Sequence, residues 1–183
     1  GTLALGAGAS LSLNGIVNLA SGTTFDLSAG NGSQTFGTLV GNGTVKLGVN
    51  TLAAGGATDG TFGGSMTGTG GFIKQGTGTE TLTGTNSYTG GTLVAAGTLQ
   101  AGAANTFSST SAHTVASGAV LDLAGYNQTL ASLNNSGTGK LSSNSGAAPG
   151  TVLKVTGAYV GNNGHLGLST VLGADGSATD KLL

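Results

Sequence analysis

The chain has 183 residues, of which 38 are glycine and 6% are charged, and its formal net charge is −1. No apolar run approaches the roughly 18–20 residues of a membrane-spanning helix, and glycine does not recur at every third position as collagen requires. Five scattered lysines without arginine give no electrostatic footprint for nucleic acid, and there is no cysteine for a disulfide framework or a zinc site.

Short segments that alternate apolar and polar residues begin near the N-terminus, for example residues 24–27 and 44–47. Alternation with a period of two predicts half-buried strands. Asn-Gly turn signals separate such segments at 14–15, 31–32, 42–43 and 163–164. No glycine-free stretch of twelve residues carries a 3.6-residue apolar period, so we expect essentially no helix.

Residues 20–47 recur as residues 116–141 with the same order of apolar, acidic, amide and basic positions. If the two copies are one unit of several strands, matching positions should face the same side of the molecule. Because side chains alternate along a strand, Asp26, Asp122, Lys46 and Lys140 should point outward. The pairs that should point inward are Phe25 with Leu121, Leu27 with Leu123, Phe36 with Leu130, Leu39 with Leu133, and Leu47 with Leu141.

Short, evenly spaced strands are compatible with a sandwich, a barrel or a solenoid. A solenoid is favoured because the repeated unit is several strands long and places small glycines at the corners between ladders of similar residues. We therefore predict an all-β, right-handed parallel β-helix that forms one unit over residues 1–183. With about 20–25 residues per rung and rungs about 4.8 Å apart, it would have about eight rungs and be near 40 Å long.

Residues 68–99 carry a Gly-rich start, a lysine, Gly-x-Gly, Leu-x-Gly-x-Asn-x-Tyr-x-Gly, Thr-x-Val and Gly-x-Leu. This stretch closely resembles the passenger-associated transport repeat of bacterial autotransporters, the type V secretion proteins. The positions in register with that pattern are Lys74, Gly76, Gly78, Leu82, Gly84, Asn86, Tyr88, Gly90, Thr92, Val94, Gly97 and Leu99.

Residues from about 151 to 183 resemble the C-terminal stretch of pertactin-like passengers. The resemblance implies a β-helical passenger domain at the cell surface of a Gram-negative bacterium or secreted, covalently continuous with a C-terminal outer-membrane β-barrel. No signal peptide precedes Gly1 and Leu183 would end in mid-strand, so we expect an excised piece. We expect it to end before the barrel and before most of the autochaperone region.

Candidate chemistry is sparse. Asp26 and Asp122 could be a glycosidase pair only if they faced each other across a cleft, and His113 and His165 lack neighbours at metal-ligand spacing. The segment from Asp175 to Asp180 offers oxygen ligands for calcium, but one such loop is more often a turn. We therefore predict no catalytic, cofactor-binding or metal residues, and the binding residues, if any, are unknown.

The residues that match the transport repeat also have a structural interpretation. Asn86 would lie in a turn or an amide ladder, Tyr88 would close a turn, and Lys74 would solvate a face. The leading functional hypothesis is a non-catalytic stem that supports export and folding and presents a distal region. The alternative is an adhesin segment that self-associates between cells or binds glycans or a host surface, without nucleic acid and without inserting into the membrane itself. An enzyme domain is the residual hypothesis.

Overall fold

The structure, a computed structural model, describes residues 1–5, 9–28, 32–142, 149–169 and 178–183. These residues form short strands and turns, with no helix among them. The strands are, in chain order, β1 (Thr2–Ala4), β2 (Val17–Leu19), β3 (Thr24–Asp26), β4 (Gln34–Thr35), β5 (Leu39–Gly41), β6 (Thr44–Gly48), β7 (Leu52–Ala54), β8 (Gly60–Phe62), β9 (Ser65–Gly68), β10 (Phe72–Lys74), β11 (Thr79–Leu82), β12 (Thr92–Val94), β13 (Thr98–Ala101), β14 (Ala112–Val115), β15 (Val120–Asp122), β16 (Gln128–Leu130), β17 (Ser132–Asn135), β18 (Thr138–Lys140), β19 (Val152–Val155), β20 (Tyr159–Val160), β21 (His165–Gly167) and β22 (Lys181–Leu182).

All pairings between the described strands are parallel, and consecutive strands of the chain lie in different sheets. One sheet contains eight strands in the order β2-β5-β8-β11-β13-β15-β18-β21, and a second contains seven, from β4 to β20. From β4 to β21 the chain therefore passes through one strand of the seven-stranded sheet and one of the eight-stranded sheet in each turn. Leu52 pairs with Phe72 and Phe72 with Thr92, so one turn takes 20 residues at these positions.

The third face of the solenoid is divided into two sheets, β1-β3-β6-β9 and β16-β19-β22. Between them, residues 86–88 and 106–108 form no strand on this face, although Ser87 still donates its backbone N–H to the carbonyl of Met66. The predicted parallel β-solenoid is confirmed. Its longest sheet contains eight strands, one from each turn, in line with the eight rungs expected.

The core is a continuous column of aliphatic and aromatic side chains inside the three faces. All ten residues predicted from the duplication to point inward are buried, each with at most 1% of its surface exposed. Asp26, Lys46 and Lys140 are at least partly exposed, as expected. Asp122 is the exception: it is only 6% exposed. Its register neighbours in the sheet are Gln100 and Lys140, and Gln100 donates a hydrogen bond to its carboxylate.

The two copies of the duplicated unit do not lie on the same side of the solenoid, and that part of the prediction is wrong. Strand β3 belongs to the four-stranded sheet, whereas its counterpart β15 belongs to the eight-stranded sheet. The offset between the copies is not a whole number of 20-residue turns, so the second copy is rotated by one face. Inward and outward positions survive the rotation because every face has the same alternation.

Candidate functional site

Asp26 and Asp122 lie in different sheets, so the structure does not bring them together across a cleft. Ser28 donates its hydroxyl and its backbone N–H to Asp26, and these two bonds lower the pKa of the carboxyl. Asp122 accepts the backbone N–H of Ala124 at 2.8 Å and the side-chain amide of Gln100 at 3.2 Å. Each carboxylate thus accepts the backbone N–H two residues further along the chain, and Asp122 also bonds Gln100 of the neighbouring strand β13.

The two histidines are also separate. His113 is buried, with Nδ1 2.9 Å from the carbonyl oxygen of Ser111 and the ring of Phe107 beside it. Burial lowers its pKa to about 4. His165 is exposed in β21. Within the described part of the chain, no group of three or more His, Cys, Asp or Glu could hold a metal ion.

Asp180 lies in the segment considered for calcium; residues 170–177 of that region are outside the described residues. Its carboxylate is 4% exposed and accepts four hydrogen bonds. The donors are the backbone N–H groups of Gly150, Thr151 and Ser169 and the hydroxyl of Ser142, at 2.8–3.0 Å. Desolvation raises its pKa, but the four donors together lower it below the ordinary value. Asp180 therefore fastens the C-terminal turns to each other.

Lys74 was expected to solvate a face. It is instead fully buried. The alternation of β10 places Phe72 and Lys74 inward with Ile73 outward. The ammonium donates to three backbone carbonyl oxygens, those of Gln75, Gly76 and Ala96, at 2.7, 3.0 and 3.1 Å. Desolvation lowers the pKa of Lys74, and the nearby carboxyls of Glu80 and Asp59 oppose that shift.

Glu80 is a second ionisable residue in the core, and the sequence analysis did not single it out. It is 1% exposed in β11, and its Oε1 has no hydrogen-bond partner among the described residues. Gly60 makes room for it, since a Cβ at Gly60 would lie 2.7 Å from Glu80 Oε2. Burial raises the pKa of Glu80 to about 8, although a backbone hydrogen bond from Leu39 and the charge of Lys74 lower it. Glu80 is therefore mostly protonated at neutral pH.

Side-chain amides replace strand pairing where the third face lacks strands. Asn86 accepts the backbone N–H of Met66 at 2.8 Å and donates to the carbonyl of Thr106 at 2.7 Å, one turn before and one turn after it. Asn86 was expected in a turn or an amide ladder; its amide instead bonds backbone groups of the two neighbouring solenoid turns. Gln128 acts similarly two turns after Asn86, accepting from the N–H of Phe107 in the turn before it at 3.1 Å.

Buried hydroxyls form a chain at the neighbouring corner. Tyr88 Oη lies 2.6 Å from Thr92 Oγ1, which lies 2.8 Å from Ser111 Oγ, and Ser111 donates to the carbonyl of Gly90. Burial raises the pKa of Tyr88. His113 approaches the backbone carbonyl of Ser111 and not its hydroxyl, so the geometry does not form a Ser-His nucleophile pair.

An open groove of about 530 Å³ runs along the outside of the seven-stranded sheet. Gly71 and Gly91 leave its floor without side chains, and Ile73 and Leu93 form an apolar wall. A Cβ at Gly91 would meet only the carbonyl oxygen of Ala112, at 3.8 Å, so backbone packing does not require glycine there. The residues that line the groove carry no charge.

Two family models match the chain. The passenger-associated transport repeat matches residues 72–101, which include Lys74, Glu80 and Asn86, and the autochaperone domain type 1 matches residues 128–183. Most of the autochaperone region was expected to follow Leu183, whereas the match begins at residue 128.

The chain is similar to two curated proteins over part of its length. It is 38% identical over 130 residues to the adhesin BmaC autotransporter of Brucella suis, and 36% identical over 122 residues to the uncharacterized protein YuaQ of Escherichia coli. These alignments cover 69% and 65% of the chain but only 4% and 8% of the relatives. No solved structure matches it significantly.

Proposed function

Since this chain is a segment of an autotransporter passenger domain, we propose that it is a non-catalytic structural stem that supports export and folding and presents a distal region. Autotransporter passengers are displayed at the cell surface or secreted. In this proposal, residues 1–183 are one stretch of the passenger β-helix. It is covalently continuous in the full-length protein with a C-terminal outer-membrane β-barrel, as the family implies.

The observation that carries the proposal is the continuity of the core from turn to turn. Buried residues run from Leu19 to Leu153 in one cluster. Inside it, polar side chains also bond across turns: Asn86 connects the turns before and after it, and Lys74 reaches the carbonyl of Ala96. Because each turn is bonded to its neighbours in this way, one folded turn stabilises the next, as solenoids do through neighbouring-turn contacts.

The stem role is tested by export of the full-length autotransporter carrying a charge in the core or on the surface. Leu121 is fully buried in the eight-stranded sheet, whereas Thr61 is exposed on the same sheet. We expect Leu121→Asp to abolish surface display and Thr61→Asp to leave it at the wild-type level, measured with an antibody on intact cells. Equal display of the two variants would refute the stem role.

Absence of catalysis is part of the same proposal. Among the residues that the structure describes, Asp26 and Asp122 accept backbone N–H groups and His113 contacts a backbone carbonyl, so we expect none of them to take a proton from a nucleophile. We expect panels of glycoside, ester and peptide substrates to show no turnover above buffer. A rate that disappears in Asp26→Asn or Asp122→Asn would contradict this part of the proposal.

An adhesive role is the second candidate, because one relative is named an adhesin and an uncharged groove with an apolar wall lies open on one face. Its partner would be a copy on a neighbouring cell, a glycan or a host surface. Gly91 lines the groove and a Cβ there would meet no atom closer than 3.8 Å. Gly91→Val is therefore the change chosen to narrow the groove, and Thr61→Val is the matched change on another face. If the segment is adhesive through this groove, Gly91→Val alone will reduce attachment of cells at equal display.

A further inference from the structure

We propose that the corner formed by Gln75, Gly76 and Ala96 is a binding site for a primary ammonium group, which the chain fills with its own Lys74 side chain. This inference goes beyond the stem role, because it concerns what a corner of the solenoid binds and stands whatever the passenger does. It rests on the geometry around Lys74 Nζ.

The hydrogen-bond donors of the Lys74 ammonium match the acceptors of the corner. A lysine ammonium has three N–H donors and no acceptor. Lys74 Nζ lies 2.7, 3.0 and 3.1 Å from three carbonyl oxygens, so each donor has one acceptor. Within the described residues, no backbone N–H donates to any of these three carbonyls. The ammonium therefore supplies the bonds that the backbone does not.

Glycines at the corner leave room for the Lys74 side chain beside the three carbonyls. Gly76 and Gly97 have φ values of +69° and +63°, a left-handed conformation that glycine adopts without the steric cost of a Cβ. A Cβ at Gly97 would lie 2.8 Å from Lys74 Nζ, and one at Gly55 would lie 3.1 Å from Lys74 Cδ. The absence of side chains at these two corner glycines thus leaves room for both the ammonium and its stem.

The Lys74 ammonium connects two adjacent turns of the solenoid. Gln75 and Gly76 belong to the corner that follows Lys74, but Ala96 lies 22 residues further along the chain, in the next turn. Removing the ammonium from water is costly unless all its donors are satisfied. Lys74 can therefore be buried only when the following turn is stacked in register. Binding of the ammonium to the three carbonyls thus depends on the stacking of adjacent turns.

The experiment is chemical rescue of Lys74→Ala in the purified segment, with thermal unfolding followed by circular dichroism. Propylammonium has the length of the deleted side chain, 1-propanol lacks the charge, and sodium chloride controls for ionic strength. We expect propylammonium to raise the Tm of Lys74→Ala well beyond its effect on the wild type and on Lys46→Ala, a change at an exposed lysine. Equal responses of Lys74→Ala and the wild type, or equal rescue by propanol, would overturn the site.

Two further measurements apply even if Lys74→Ala does not fold. Lys74→Met retains an unbranched stem without the donors, and we expect its Tm to lie far below that of Lys46→Met; equal values would overturn the proposal. In the wild type, acetylation mapped by mass spectrometry should modify Lys74 at least about a hundredfold more slowly than Lys46, since modification requires local opening. Comparable rates would likewise overturn it.

Discussion

Lys74 and Glu80 show where reasoning from single residues fails. In β10 and β11, alternation alone places Lys74 with Phe72 and Glu80 with Leu82 on the inward side. Because charged residues are almost never fully buried unless paired, Lys74 was expected at the surface, and the same rule gives no reason to expect Glu80 in the core. The burial depends on glycines one turn away in space, and a sequence without coordinates does not place those glycines beside the charges.

The pKa of Glu80 predicts an unusual pH dependence of stability. Its pKa is raised from 4.5 to about 8 in the folded chain, so the folded state holds a proton that the unfolded state releases above pH 4.5. Stability should therefore fall as the pH rises towards 8, by up to about 1.4 kcal/mol per unit for one proton. His113 has the opposite effect between about pH 4 and 6.5, because its pKa is lowered to about 4.

Between pH 6.5 and 8, Glu80 still changes the free energy of unfolding with pH, whereas His113 does not. We expect the free energy of unfolding to fall across this window in the wild type and to be flat in Glu80→Gln, measured by urea unfolding at each pH. Glu80→Gln should also be the more stable protein at pH 8. An unchanged slope in the variant would show that Glu80 is not the group responsible.

Asp122 and Leu123 are adjacent in sequence but differ in the cost of truncation. Leu123→Ala empties part of the core and should cost about 2–5 kcal/mol. Asp122→Ala removes the hydrogen bonds to Ala124 and Gln100 from a covered site and should cost about 1–2 kcal/mol, more than a surface change. Asp26→Ala, at a more exposed position, serves as the control. Equal costs for all three in urea unfolding would contradict the burial described here.

At the scale of the element, corner glycines set how closely successive turns stack. A Cβ at Gly70 would lie 1.8 Å from the carbonyl oxygen of Asn50 in the turn before it, whereas one at Gly91 would meet nothing closer than 3.8 Å. Gly70→Ala therefore requires the two turns to separate, but Gly91→Ala does not.

We expect Gly70→Ala to destabilise the segment by more than about 3 kcal/mol, a size reserved for backbone strain and core disruption. Gly91→Ala should be neutral or stabilise by about 0.4–1 kcal/mol, since alanine restricts the unfolded chain. Thermal unfolding of the two variants checks both values. A neutral Gly70→Ala would mean that turns stack less closely than described.

Strands were predictable from alternation on all three faces, but the interruption of the third face was not. At residues 86–88 and 106–108, the pairing between turns passes through the side chains of Asn86 and Gln128. Asn86 was noted from its position in the repeat, but its bonds to the backbone of both neighbouring solenoid turns were not expected. Gln128 was seen only as part of the duplication, because its partners, Phe107 and Ala103, are more than 20 residues away in sequence.

For the whole molecule, composition and periodicity were sufficient for the class of fold. The parallel solenoid followed from repeated strand-corner units, and the inward set of the duplication was correct. The face on which each copy lies was not predictable by eye, because a small change in residues per turn rotates every later strand. The groove beside Ile73 was not predicted for the same reason. Its prediction requires the positions of Gly71 and Gly91 around the solenoid axis.

The central claim is that the fold of this segment, and not its surface chemistry, supports the passenger. The most direct measurement is the display of the full-length autotransporter, and its attachment to cells, after outward side chains on two faces are replaced together by serine. The residues to change are Thr61, Ile73, Leu93, Thr114 and Lys140, all at least partly exposed. We predict that display and attachment both stay at the wild-type level. Loss of attachment at unchanged display would contradict the stem and identify the surface as the functional part.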